Sequence, residues 1–208
     1  IYRIEEKSFD TWMNESPDPY RRSAWLQAAL GPTLKEELPE VEYATRFNDG
    51  NRAIFRYGDK VFTERLTYVD KDFFSMFSFQ LRKGNAERIF LDKSEVVLTP
   101  EIATKYFGDE DPIGKSIEID NNGKQSFTVT GIIEPPPSQS SLRFAILLPQ
   151  ENRNHYEYNM ENWGNFGTPT FVQLRSDANM EGFKANLDKV IEKYMSKRLE
   201  DWRKEAVV

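Results

Sequence analysis

The chain has 208 residues, enough for one large domain or two small ones to bury a hydrophobic core without disulfides or metals. Hydrophobic residues make up 38% and charged residues 30%, and the mean hydropathy is -0.68, a balance typical of a water-soluble globular domain. A net charge of -6 disfavours nucleic-acid binding, and the absence of cysteine excludes disulfides, Cys-ligated zinc and thiol catalysis.

The N-terminal part of the chain predicts one helix and several strands. Leucines recur every four residues from 26 to 38 and indicate a helix near residues 32–38, with Pro32 in its first turn and Pro39 after its end. The polar stretch 8–23 is broken by prolines and predicts a loop. Alternating apolar residues predict strands over 1–6, 42–47, 52–57 and 60–69, the last three joined by hairpin turns at 48–51 and 58–59.

The middle of the chain is predicted to hold a short aromatic helix and then smaller elements. Residues 71–77 are expected to form a helix that buries Phe73, Phe74, Met76 and Phe77. After Gly84 the turn residues come closer together, which predicts a boundary between two lobes. The next predicted elements are a strand at 96–98, a helix at 101–106 between Thr99-Pro100 and Gly108, and a hairpin of 116–120 with 127–133 around Asn121-Asn122-Gly123.

The C-terminal part predicts two more strands and a long amphipathic helix. One strand is expected where Leu142, Phe144, Ile146 and Leu148 alternate, and the other over 169–175. From about residue 178 an apolar stripe at helical spacing consists of Phe183, Leu187, Val190, Ile191 and Tyr194. We expect this stripe to face the sheet of the lobe that also contains residues 1–6, so that the two ends of the chain lie side by side.

No motif in the sequence assigns a catalytic, cofactor-binding or metal-binding residue. Gly108–Ser116 has five residues between its glycines where a phosphate-binding loop needs four, and three of them are acidic and would repel phosphate. Asp120-Asn121-Asn122-Gly123 lacks the spacing of a calcium loop and fits a hairpin turn. The single histidine, His155, has no recognisable catalytic partner, so we expect a surface residue and no enzyme.

One segment is a candidate contact surface. Tyr156, Tyr158, Trp163 and Phe166 lie close together in a stretch rich in glycine and asparagine, and could form a stacking platform for a sugar or a protein partner. The alternative is that these rings fill space where two layers of the fold meet.

Short motifs spread over most of the chain occur in a consistent order. The most specific is Tyr68-Val69-Asp70 followed by Phe73-Phe74-Ser75-Met76-Phe77-Ser78-Phe79. The others are Ile1–Ile4, Leu34–Val41, Val96–Thr99, Ala103–Gly108, Asp111–Lys115, Val129–Ile133 and the proline run that leads to Ser141. Together they resemble the MacB-type periplasmic core domain of FtsX-like ABC-transporter permeases. Residues 8–25, with Trp12 and Trp25, depart from that pattern.

The resemblance implies an α+β fold with two lobes. Residues 1–78 with 168–208 would form a membrane-proximal lobe of mixed sheet and helices, and residues 79–167 an inserted, smaller and mostly-β lobe. By the same resemblance the domain lies on the periplasmic or extracytoplasmic face of the bacterial inner membrane, as part of an integral membrane protein.

The implied function is to transmit ATP-driven conformational change to a substrate or partner outside the inner membrane. The implied partners are a second permease copy, a cytoplasmic ATPase and an adaptor or outer-envelope protein, with no cofactor and no nucleic acid. The alternative is a stand-alone extracytoplasmic module that binds glycan or protein through the four aromatic residues named above.

Overall fold

A computed structural model describes residues 1–9, 20–121 and 123–205. Within these residues the strands are β1 (Tyr2–Arg3), β2 (Glu6–Phe9), β3 (Tyr20–Ser23), β4 (Leu26–Gln27), β5 (Val41–Tyr57), β6 (Lys60–Val69), β7 (Leu81–Lys83), β8 (Glu95–Leu98), β9 (Ser116–Asp120), β10 (Lys124–Ile133), β11 (Ile146–Pro149), β12 (Phe166–Thr168) and β13 (Thr170–Leu174). The α-helices are α1 (Leu30–Glu37), α2 (Phe73–Met76), α3 (Pro100–Phe107), α4 (Tyr156–Glu161) and α5 (Met180–Glu205). The fold is therefore α+β, as the sequence predicted.

The chain divides into two compact units, residues 1–46 with 157–208 and residues 47–156. The predicted lobes had other bounds, 1–78 with 168–208 and 79–167. The difference arises mainly from the second half of β5 and from β6, which group with the middle of the chain. The two lobes as functional bodies stay a prediction.

The first unit is a small antiparallel sheet covered by two helices. Strand β13 pairs with β1 on one side and with the first half of β5 on the other. Helices α1 and α5 pack on this sheet, and their apolar faces share one hydrophobic core with it. That core contains Ile4, Leu34, Val172, Phe183 and Val190. The sequence placed residues 1–6 and the C-terminal helix together, and the shared core confirms it.

The second unit contains six strands that close into a ring. The second half of β5 pairs with β6, and the order continues through β11, β8 and β10 to β9, which pairs back onto β5. Closure of the ring leaves these strands no free edge. Its interior holds a core that includes Phe55, Tyr68, Val96, Ile119 and Leu148. Strand β7 adds to the outside by pairing with β10.

Three local predictions were wrong. Residues 48–51 are not a hairpin turn: β5 runs through them, and its pairing with β6 shifts register between Asp49 and Asn51, where Gly50 has a φ of 111°. The predicted loop over 8–23 contains parts of β2 and β3, which pair with each other. The strand predicted from Leu142 to Leu148 begins only at Ile146. Trp12 lies outside the described residues, and Trp25 is exposed.

Helix boundaries were predicted more accurately. Helix α3 begins at Pro100 after Thr99 and ends before Gly108, whose φ of 63° suits glycine. Helix α2 buries Phe73 and Met76, while Phe74 and Phe77 are half-buried.

Candidate functional site

The four aromatic residues predicted to contact a partner lie between the start of α4 and the start of β12. Tyr156 and Tyr158 are on α4, Trp163 follows that helix, and Phe166 begins β12. Tyr158 and Phe166 are 58% and 39% exposed, whereas Tyr156 and Trp163 are half-buried. Tyr156 belongs to the second unit and the other three to the first. Their contact with a partner stays a prediction.

Trp163 packs against the core of the first unit. Its indole stacks on the ring of Tyr194 from α5, with ring centroids 4.4 Å apart and planes 8° from parallel. One face of the indole is therefore covered by the helix. For this residue the geometry supports the packing alternative, because a ligand could stack only on the other face.

Helix α5 also makes polar contacts with the end of α1 and with the residues that follow it. Nζ of Lys193 donates a hydrogen bond of 2.8 Å to Oε1 of Glu37, and the hydroxyl of Tyr194 donates to the same oxygen. These two hydrogen bonds hold the pKa of the Glu37 carboxyl below its usual value. Nδ2 of Asn186 donates to Oε1 of Glu40 over 2.7 Å. Sequence reasoning found the apolar stripe of this helix but missed its polar contacts, which join residues far apart in the chain.

The most specific sequence motif forms an aromatic cluster in the second unit. The ring of Phe73 is 5.1 Å from that of Phe77, 5.6 Å from that of Phe79 and 5.7 Å from that of Phe144, measured between centroids. Such distances are typical of aromatic packing, so the motif has a structural role.

The segment that resembled a phosphate-binding loop is a helix end followed by a turn. The Gly108 amide donates to the carbonyl of Thr104, and so continues the hydrogen bonds of α3. Asp111 forms an ion pair of 3.1 Å with Lys83, and Glu110 forms one with Lys115. The local lysines are thereby engaged by carboxylates of this chain.

Over the described ranges, no group of three or more His, Asp or Glu side chains could hold a metal ion. No helix in the same ranges is long and apolar enough to cross a membrane.

Sequence reasoning missed a polar cleft in the second unit. The cleft has a volume of about 220 Å³ and lies where β9 and β11 end and where β8 and β10 begin. We call it the mouth, because it opens at one end of the six-stranded ring. Its lining residues are Lys93, Ile119, Asn121, Gly123, Gln125, Phe127, Leu148, Glu151, Asn152, Arg153 and Asn154. The sequence signals were the asparagines at positions 121, 152 and 154, and polar loops carry the same signal.

Comparisons with known proteins give one consistent result. A sequence model of the family described as the MacB-like periplasmic core domain matches residues 2–190. No curated protein matches the chain.

Three solved structures have a similar fold. A domain of a putative permease protein from Porphyromonas gingivalis is 24% identical, with 83% of this chain and 79% of that chain covered and a TM-score of 0.69. The periplasmic region of MacB from Actinobacillus actinomycetemcomitans is 20% identical, with coverages of 81% and 73% and a TM-score of 0.57. The extracellular domain of the noncanonic ABC-type transporter YknZ from Gram-positive bacteria is 14% identical, with coverages of 94% and 95% and a TM-score of 0.57.

Proposed function

Because this chain belongs to the family of MacB-like periplasmic core domains and is thus an extracytoplasmic domain of an ABC-transporter permease, we propose that it transmits ATP-driven conformational change to a substrate or partner outside the inner membrane. Domains of this family are parts of permeases and not enzymes. In the proposed transporter the ATP chemistry takes place on a cytoplasmic ATPase, and this domain moves as a packed body.

The shared core of the first unit is the observation that supports this proposal. Ile4, near the start of the chain, is buried in the same core as Phe183 and Val190 of α5. The Ile4 amide also donates a hydrogen bond of 2.9 Å to the carbonyl of Thr170 on β13. A displacement that reaches either flanking segment would therefore be delivered to a single packed body, since close-packed interiors deform little.

Several partners follow from the proposal. We propose that two permease copies pair, that each couples to the ATPase through membrane helices outside this chain, and that an adaptor or outer-envelope protein can contact the domain. The domain would lie at the outer face of the inner membrane as part of an integral membrane protein. Nucleic acid is not among the proposed partners, because the net charge of -6 is repulsive.

Distance measurement in the full-length transporter tests this function. These 208 residues contain no cysteine, so Lys184→Cys, on an exposed position of α5, is the single labelling site of this domain, and any cysteines elsewhere in the transporter are replaced by serine. The distance between labels on the two permease copies is compared without nucleotide and with ATP bound to a hydrolysis-deficient ATPase. We expect the distance to change when ATP binds.

A second variant shows whether the change passes through the first unit. Leu187→Ala loosens α5 against its core and should reduce the distance change while ATP turnover continues. A matched surface variant, Asp188→Ala, should leave both quantities unaltered. Label distances that are identical with and without ATP would contradict the proposed transmission.

The exposure of Tyr158 and Phe166 supports the candidate contact surface for a partner. Exposed aromatic side chains are enriched at protein interfaces. A photo-crosslinking residue placed at position 158 in the full-length transporter should capture an envelope partner, and the same residue at position 184 should not. Equal or absent capture at the two positions would count against this surface.

A further inference from the structure

The mouth of the ring in the second unit has the position of a ligand site. Pairing of β11 with β6 brings Leu148 beside Tyr68, and pairing of β9 with β10 brings Asp120 beside Lys124. The segments that leave or enter these strands therefore gather at one end of the ring. Barrel mouths are a preferred place for small-molecule sites. The volume of about 220 Å³ is below the roughly 300 to 1,000 Å³ of drug-sized pockets. It suits a ligand the size of an amino acid or a dipeptide.

Two side chains that line the mouth, Arg153 and Asn121, are hydrogen-bonded to buried polar groups. Nη1 of Arg153 donates to Oδ1 of Asn48 over 3.1 Å, and Nε2 of the fully buried Gln150 donates to the same oxygen over 3.0 Å. Nδ2 of Asn121 donates to the hydroxyl of Tyr68 over 2.5 Å. Burial raises the pKa of Tyr68, so this hydroxyl is neutral. Because Arg153 and Asn121 are positioned by buried groups, a ligand would lose little entropy in ordering them.

Lys93 and Glu151 supply two of the charges of the mouth, and Arg153, which is already hydrogen-bonded to Asn48, supplies the third. Among the described residues, Nζ of Lys93 donates no hydrogen bond and makes no ion pair, although its charge contributes to the lowered pKa of Asp92. The Glu151 carboxylate likewise has no ion pair or hydrogen bond within the described part of the chain. With Arg153, the mouth thus combines two cations and one anion in a chain whose net charge is -6. Such a site attracts a carboxylate, and Glu151 can accept from a cationic or N–H group of the same ligand.

The amide side chains favour a ligand that also carries N–H groups. Nδ2 of Asn152 donates to the carbonyls of Lys93 and Pro149, over 2.7 Å and 3.3 Å. Nδ2 of Asn121 is likewise used by Tyr68. In both residues Oδ1 is left as an acceptor, since no described residue donates to it. An acceptor of this kind pairs with the N–H of a peptide bond or of an amine.

We propose that the mouth binds the carboxylate end of a peptide or amino acid. Lys93 and Arg153 bind the carboxylate, and Oδ1 of Asn121 or Asn152 accepts from the adjacent N–H. This ligand chemistry has two sources, a free amino acid or short peptide and the C-terminus of a longer chain. The site does not depend on the proposed transmission of motion, and it can be tested on this domain alone.

Three related probes distinguish the two sources. Diglycine carries both a free amine and a carboxylate, N-acetyldiglycine carries only the carboxylate, and diglycine amide carries only the amine. Each is titrated into the 208-residue chain while the backbone amide signals of Gly123 and Asn152 are followed by NMR. Binding of both carboxylates indicates that the site accepts a chain terminus, and binding of diglycine alone indicates a free amino acid or peptide. Either result supports the proposal.

Matched variants test the role of the charges. Lys93→Gln should weaken binding of the carboxylate probes by about tenfold or more, since tenfold is near the lower end of the range for one hydrogen bond to a charged group. Lys184→Gln removes the same charge on the other unit and should leave binding unchanged. Glu151→Gln should weaken diglycine and leave N-acetyldiglycine unchanged or tighter. The proposal is overturned if diglycine amide binds as well as the acids, if neither acid shifts the mouth signals, or if Lys93→Gln has no effect.

Discussion

Replacement of Phe183 by alanine tests whether α5 is held mainly by its apolar stripe. Phe183 is 3% exposed and lies in the core of the first unit. Removing a buried phenyl ring costs about 3 to 5 kcal/mol through lost burial and the cavity that remains. Leu187 is only partly buried, so Leu187→Ala should fall at the lower end of the range for leucine, about 2 kcal/mol. In a chain of this size 1 kcal/mol shifts Tm by about 2 to 4 °C, so Phe183→Ala should lower Tm by roughly 6 to 20 °C.

The assay is thermal unfolding of the 208-residue chain followed by circular dichroism and calorimetry. Lys184→Ala is the matched control, because this neighbouring residue is exposed and should change stability by less than about 0.5 kcal/mol. We expect the decrease in Tm to be largest for Phe183→Ala, smaller for Leu187→Ala and smallest for Lys184→Ala. A Tm for Phe183→Ala within about 2 °C of the control would refute the view that the apolar stripe holds the helix.

Three further predictions concern single positions. Gly84→Ala should destabilise the second unit by at least about 2 kcal/mol in a denaturant titration, because the φ of Gly84 is +97° and a Cβ would lie 2.6 Å from a backbone oxygen. The control Gly58→Asn should cost less in that titration, because no atom lies within 4 Å of a Cβ at this position. The pKa of the Glu37 carboxyl, followed by NMR, should lie below its usual value. The contribution of this carboxyl to folding stability is therefore present above the unfolded-state pKa and is lost as the pH falls through the folded-state pKa. Lys193→Gln should raise the pKa of Glu37, and an unchanged value would contradict the assignment. Gly50 is the extra residue of a β-bulge in β5, where the pairing with β6 shifts register. Its deletion should unfold the second unit, whereas Gly50→Asn, which keeps the residue count, should cost about 1 to 3 kcal/mol. A deletion variant with a near-normal Tm would show that the bulge is dispensable.

The sequence was most informative where local chemistry decides the structure. Thr99-Pro100 and Gly108 bounded α3, because a proline suits the first turn of a helix and a glycine with positive φ suits its end. The stripe that begins at Phe183 predicted the helix and most of its buried face, since the 3.6-residue period is a property of the chain itself. Tyr194, which was expected on the same face, is instead 38% exposed. The family resemblance likewise depended on short motifs and was confirmed by the match over residues 2–190.

The candidate sites could not be predicted to the same extent. The Trp163–Tyr194 stack joins residues on two different elements, and no local pattern indicates which ring will meet which. The mouth is assembled from loops around residues 93, 121 and 151–154, which come together only when the ring of strands closes. Closure depends on the pairing of β9 with β5, a contact between distant parts of the chain that the sequence does not specify in advance.

The bulge at Gly50 connects the wrong hairpin prediction with the mouth. Before the bulge Asn48 lies opposite Tyr68, and after it Ala53 lies opposite Glu64. Residues directly opposite each other share a face, so the bulge shifts the inward face from even to odd positions of β5. In a strand without the extra residue, Ala53 and Asn48 would point to opposite faces. The extra residue therefore lets β5 bury Ala53 and Phe55 and still turn Asn48 to the same side, where its Oδ1 holds Arg153. A turn-like sequence inside a strand thus has a physical purpose here, because it sets which polar group reaches the mouth.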